Sequence, residues 1–128
     1  MVDQDPLPRW SFGRVTLLGD AAHPMVPRGS NGAGQSILDA RALTSALLAH
    51  AEPVAALAAY ETRRLEATTR IVLTNRSNPP DAILREVFER THDTPFRAID
   101  DVISRDELVA LSEGYKRVAG YTKEALRG

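Results

Sequence analysis

The sequence contains no cysteine, which removes disulfides, thiol nucleophiles and cysteine-ligated metal from consideration. Aromatic residues are scarce, at 5% of the chain. Trp10 and Phe12 read as packing anchors, and Tyr60, Tyr115 and Tyr121 as core or interface rings. Neither charge sign dominates: 16 basic residues stand against 17 acidic ones, for a net charge of -1. That balance excludes a strongly basic nucleic-acid binder and gives no electrostatic ground for an anionic membrane. No apolar run approaches the roughly 20 residues needed to cross a bilayer. The opening Met1-Val2-Asp3-Gln4-Asp5 lacks the basic-then-apolar order of a signal peptide, so a cytoplasmic protein is expected. The three histidines, His23, His50 and His92, lack zinc-site spacing, and no metal is expected.

What is present suffices for one domain of ordinary size. The 128 residues are 43% apolar and 26% charged, enough to bury a core. The first twelve residues should be extended or irregular, because Pro6 and Pro8 restrict the residues before them. Arg14–Leu18 is short, β-branched and apolar, and reads as a buried strand with no partner in the chain. An unpaired strand is costly, so the chain is expected to be part of something larger or to pair with a copy of itself. Residues 21–34 are rich in proline and glycine and should be loop until about Asn31. A helix should follow to Ala49, with Ile37, Ala40, Leu43, Leu47 and Leu48 on one face. Pro53 can open a second helix, running to about Arg76. Asp81–Thr91 carries an apolar stripe of Ile83, Leu84, Val87 and Phe88 for a third. Ser104-Arg105-Asp106-Glu107 fits a capping box that starts a fourth, with Leu108, Leu111, Tyr115 and Val118 on one face. Thr122–Gly128 should fray. The expected fold is therefore mostly α, about four helices with one short strand, divided into residues 1–50 and 51–128.

Chemistry concentrates between Gly19 and Gly34. A buried strand delivers one carboxylate, Asp20, to its end, and the small Ala21 and Ala22 follow. A glycine-rich turn then opens a helix, whose free N–H groups and dipole favour negative charge. An acceptor at one end and backbone donors at the other suit a ligand with a polyol and an electron-rich ring or phosphate.

The run Trp10-Ser11-Phe12-Gly13-Arg14-Val15-Thr16-Leu17-Leu18-Gly19-Asp20-Ala21-Ala22-His23-Pro24 resembles the second FAD fingerprint of the single-component flavoprotein aromatic hydroxylases, the para-hydroxybenzoate hydroxylase-like class. The likeness continues through Pro27, Gly29, Asn31-Gly32-Ala33-Gly34-Gln35 and Asp39-Ala40-Arg41-Ala42-Leu43. From Asn75-Arg76 onward the chain is similar to the phenazine-carboxylate hydroxylase branch. The resemblance implies that Asp20, after Gly19, accepts from a ribityl hydroxyl of FAD. It puts the backbone of Pro27 and Gly29 beside the flavin ring. It sets the N–H groups of Gly32, Ala33 and Gly34 against the flavin N1/O2 edge, where preorganised donors stabilise negative charge. It further implies that NAD(P)H reduces the flavin, and that the cofactor with oxygen hydroxylates a small aromatic substrate.

The family's opening Gly-x-Gly-x-x-Gly strand–turn–helix is not found, nor are its middle motif and substrate-binding sheet. The chain thus resembles the C-terminal part of an α/β FAD-binding fold. It is expected to need the rest in cis or in trans, and to be inactive alone. The rival expectation is a self-associating helical module that keeps the fingerprint as a relic and forms a homo-oligomer. Among single residues, Asp20 has a plain alternative as a turn cap. His23 reads as structural, with no acidic partner at a fixed spacing. Arg63, Arg64 and Arg70 read as a solvated face paired with Glu61 and Glu66, with docking on a missing domain as the alternative. Arg28 is placed in the loop facing the flavin.

Overall fold

Chain reversal begins early. Strand β1 (Ser11–Phe12) pairs antiparallel with β2 (Val15–Thr16), Ser11 opposite Thr16 and Phe12 opposite Val15. Gly13 makes the tight turn at a φ of 61°, a left-handed conformation that favours glycine. The computed structural model describes residues 3–27, 31–77, 79 and 81–122. The expected lone strand is corrected in two ways. It is shorter than Arg14–Leu18, and its partner is the segment just before it, which was expected to be irregular. A two-residue strand is too short to show alternation, so the pattern could not reveal it. Leu17 N–H extends the ladder to Trp10 O at 3.1 Å.

The hairpin docks on a helix rather than on another sheet. The helices are α1 (Asn31–Ala49), α2 (Pro53–Ser77), α3 (Ala82–Thr91) and α4 (Arg105–Ala119). Glu61 of α2 accepts the Trp10 and Ser11 N–H groups at 2.9 and 2.5 Å. Burial by itself would raise the Glu61 carboxyl, but these backbone donors outweigh it and hold the carboxyl below its ordinary value. Trp10 is fully buried, with ring centroids 5.6 Å from His23 and 5.8 Å from Tyr60. Phe12 is not an anchor: it is exposed, with the Arg9 guanidinium 4.9 Å above its ring.

A short link over residues 50–52 folds α2 back on α1 as a helical hairpin. Of the expected apolar face of α1 only Leu43 packs on the core, where it is partly buried. Ile37, Leu47 and Leu48 are exposed, and the buried positions are Asn31, Gln35, Asp39, Ala42 and Ala46. The small alanines let α2 come close, and the polar members find partners there. On α2 the buried stripe is Ala56, Leu57, Tyr60, Arg64, Thr68, Ile71, Val72 and Asn75. Helix α4 returns to pack on α2 and touches α3. Its start is the expected capping box: Ser104 Oγ accepts from Glu107 N–H at 3.3 Å, and the Glu107 carboxylate accepts from Ser104 N–H at 3.0 Å. Leu108, Leu111 and Tyr115 are half-buried as expected, whereas Val118 is exposed. On α3, Leu84 and Phe88 point to solvent, so only part of the expected stripe packs. Among the described residues no helix is long and apolar enough to cross a membrane. The expected fraying of the end falls largely on 123–128, outside the described residues.

Candidate functional site

The fingerprint loop leaves β2 through Leu18 and turns at Gly19, whose φ is 63°. Residues Gly19–Ala21 form one 3-10 turn, and Gly19 O accepts from both Ala22 N–H and His23 N–H at 2.9 Å. A β-carbon at position 19 would lie 2.8 Å from Ser36 Oγ, so both conformation and space select glycine.

Beneath the turn lies Asp39, fully buried on α1. Its Oδ2 accepts from Gly19 N–H at 3.1 Å and from His23 Nε2 at 2.6 Å. Its Oδ1 accepts from Arg64 Nε at 2.6 Å. Burial pushes this carboxyl up, but the hydrogen bonds and charges of His23 and Arg64 outweigh it, leaving Asp39 below its ordinary value. Arg64 Nη2 also donates to Gln35 Oε1 at 2.6 Å, and Gln35 Nε2 donates to Ala119 O at 2.8 Å. One carboxylate thus ties the loop, α1 and α2 together, and Gln35 extends the tie to the end of α4.

Two expectations are corrected here. His23, read as structural for want of an acidic partner, does have one, Asp39, sixteen residues away on α1. Arg64 is not on a solvated face; it is buried against Asp39, while Arg63 is exposed and Arg70 pairs with Glu66 at 3.9 Å. Glu61 serves the hairpin backbone instead of an arginine.

Asp20, one residue after the anchored Gly19, faces solvent. Its Oδ1 lies 3.5 Å from where a Gly32 β-carbon would stand, so the loop carboxylate sits beside the amino end of α1. Gly32, Ala33 and Gly34 are in the first turn, where N–H groups lack intrahelical acceptors. Gly32 and Gly34 are half-buried, while Ala33 and Pro27 are exposed. Gly29 and Arg28 lie outside the described residues. The fold therefore gathers Gly19, Asp20, Gly32, Ala33 and Gly34 at one place: an accessible anionic acceptor next to first-turn N–H donors that have no acceptor among the described residues, at the positive end of a helix. This donor set fits a cofactor bearing sugar hydroxyls and an electron-rich polar edge.

Sequence reasoning missed the support beneath the site. Asn31, Gln35 and Asp39 enter the resemblance as residues of the motif, but their recurrence every four residues, itself a helix face, is the signal that marks them as support.

Residues 2–75, more than half of the chain, match the family described as FAD binding domain, and the chain belongs to that family. Curated relatives that it resembles are hydroxylases and monooxygenases by name. It is 58% identical over 76 residues to phenazine 1,6-dicarboxylic acid hydroxylase PhzS of Lysobacter antibioticus, covering 59% of this chain and 19% of that protein. It is 48% identical over 71 residues to 3-hydroxybenzoate 6-hydroxylase 1 of Aquipseudomonas alcaligenes, covering 56% and 18%. A longer match, 39% identical over 107 residues, reaches 3-amino-4-hydroxybenzoate 2-monooxygenase PtnB3 of Streptomyces platensis, covering 79% and 27%. The matched segments thus cover between 18% and 27% of these three relatives' length.

Proposed function

We propose that this chain is the flavin-contacting C-terminal portion of an FAD-dependent monooxygenase that hydroxylates a small aromatic substrate with NAD(P)H and oxygen. The observation that carries the reading is the placement of Asp20 beside the first turn of α1, inside a segment that matches the FAD binding domain. Residues 1–50 carry the flavin-facing part, and residues 51–128 form the helical remainder. Asp20 accepts from a ribityl hydroxyl. Gly19 fixes the turn that presents it, and Pro27 and Gly29 border the ring. The N–H groups of Gly32, Ala33 and Gly34 meet the N1/O2 edge and stabilise negative charge there as fixed donors. FAD, when bound, supplies the redox and oxygen chemistry; the chain's residues bind and orient it.

The partner in this reading is the remainder of an α/β FAD-binding fold, in cis or in trans, in the cytoplasm. The face bearing Ile37, Leu47 and Leu48 is available to it. The rival self-associating module loses its main physical ground, because β2 already has its partner within the chain.

Titrating the 128-residue chain with FAD, followed by flavin fluorescence, tests the reading. Weak saturable binding is expected, reduced about tenfold in Asp20→Ala, since a hydrogen bond to a charged group contributes about 1.5–3 kcal/mol. Binding indifferent to Asp20 overturns the assignment. With FAD and NADH both added, the chain alone should leave NADH unoxidised.

A further inference from the structure

The last turn of α4 closes on the first turn of α1 at three points. Asn31, which opens α1, donates through Nδ2 to the Tyr115 hydroxyl. That hydroxyl donates onward to Asn75 Oδ1 on α2 at 2.5 Å. One turn along, Gln35 Nε2 donates to Ala119 O. Just past the helix, Tyr121 lies against Gly34: a β-carbon at position 34 would collide with the Tyr121 hydroxyl and stand 3.0 Å from Cζ. The Tyr121 hydroxyl is buried and has no hydrogen-bond partner among the described residues. Its backbone N–H donates to Lys116 O at 3.0 Å, which fixes the chain just past α4, and the side chain itself is held by packing against α1.

Glycine at position 34 runs against helix propensity, since alanine stabilises a helix relative to glycine. The space left by the missing side chain is the space the Tyr121 ring occupies. Tyr115 can serve its two neighbours only as a protonated phenol, accepting from Asn31 while donating to Asn75. Burial, with Tyr121 nearby, pushes its ionisation up to about 12, so it keeps the proton at neutral pH.

We propose that residues 115–121 form a carboxyl-terminal clamp on the amino end of α1. Tyr115 and Tyr121 act as positioning residues for the backbone donors of Gly32, Ala33 and Gly34, and glycine stands at position 34 in order to seat Tyr121. The positioning role rests on the flavin reading above; the seating of Tyr121 does not.

A double-mutant cycle on the 128-residue chain tests the seat, read by urea unfolding of Gly34→Ala, Tyr121→Ala and the double variant. Gly34→Ala should lower the folding equilibrium constant about tenfold, because overpacking outweighs helix propensity. In the Tyr121→Ala background the same change should cost nothing or stabilise. If Gly34→Ala alone is as stable as the parent, the seat is overturned. If Gly34→Ala fails to fold, recovery of folding in the double variant supports the seat and failure of the double variant overturns it.

The positioning role is read by FAD titration and by the visible spectrum of bound flavin. Tyr115→Phe keeps the ring and removes the relay. It should weaken FAD about fivefold and shift the bound spectrum while leaving far-UV circular dichroism unchanged. Unaltered affinity and spectrum overturn the positioning role. Should the parent chain take up no FAD at all, the flavin reading falls and the positioning role falls with it, while the unfolding cycle still decides the seat.

Discussion

Between Trp10 and Asn75 the interior mixes an apolar cluster around Trp10 and Tyr60 with buried polar groups: Asp39, Arg64, Gln35, His23, Asn31 and Thr68. Between Ala82 and Ala119 the reverse holds. Only Ala82, Ile103 and Ala119 are buried there, and Leu84, Phe88, Phe96, Ile99 and Val109 face solvent. The first region adds to its apolar contacts a network around Asp39 and Arg64 whose hydrogen bonds need one geometry and reach across 16 to 29 residues of sequence. The second relies on local devices. Ser104 and Glu107 cap α4, and Arg90 bridges Glu86 and Glu107 at 2.8 Å each. The difference shows where precision is needed: the polar interior lies directly under the loop that presents Asp20. The family match, residues 2–75, ends where this polar interior ends.

Removing the centre of the first region should have the largest effect. Asp39→Ala strands Arg64 and His23 in the interior, and breaking a buried ion pair by deleting one partner costs about 3–5 kcal/mol. Urea unfolding should show that loss, and a change under about 1 kcal/mol would mean the network is not the keystone of this half.

Acid should separate the two regions next. The native Asp39 carboxyl titrates below its unfolded value, so the folded state binds fewer protons across the acid range. Its contribution is complete above the unfolded carboxylate value of about 4 and is lost as pH falls through the lower native value. Glu107 behaves with the same sign: the Arg90 hydrogen bonds, followed by those of Ser104, hold it down at about 2. Its side chain is in solvent, so salt screens that contribution. An acid titration of stability should therefore become shallower in Asp39→Asn, with Glu61 keeping part of the slope, and change less in Glu107→Gln.

Capping comes third. Ser104→Ala removes a side-chain acceptor from the start of α4 and should cost about 1 kcal/mol, visible as loss of helix signal before the α1–α2 pair melts. The smallest effect belongs to Phe88→Ser. An exposed ring contributes little in this chain, so stability should change by no more than about 0.5 kcal/mol. A larger loss would show that α3 packs more tightly in solution than its exposure indicates.

The helices were legible in the residues; the β1–β2 hairpin was not. Pro53 marked the start of α2, and Ser104 with Glu107 fixed the start of α4, because proline geometry and capping act within a few residues. The fingerprint from Gly19 to Gly34 was legible as well, since a cofactor loop needs particular small residues in order. What stayed hidden was long-range. Ile37, Leu47 and Leu48 share the apolar face expected of α1, yet the face that packs carries Asn31, Gln35 and Asp39. Hydrophobic spacing says which residues share a face, and it cannot say which face meets α2.

Sequence alone determined the helices, their boundaries and the chemical character of the loop, because each follows from backbone preferences over one or two turns. The tertiary structure decided that Asp39 would anchor Gly19, His23 and Arg64 together. It likewise decided that Tyr121 would fill the space over Gly34. Those choices depend on which side chains from distant segments can satisfy a buried charge or fill a void, and only the folded chain brings them within bonding distance.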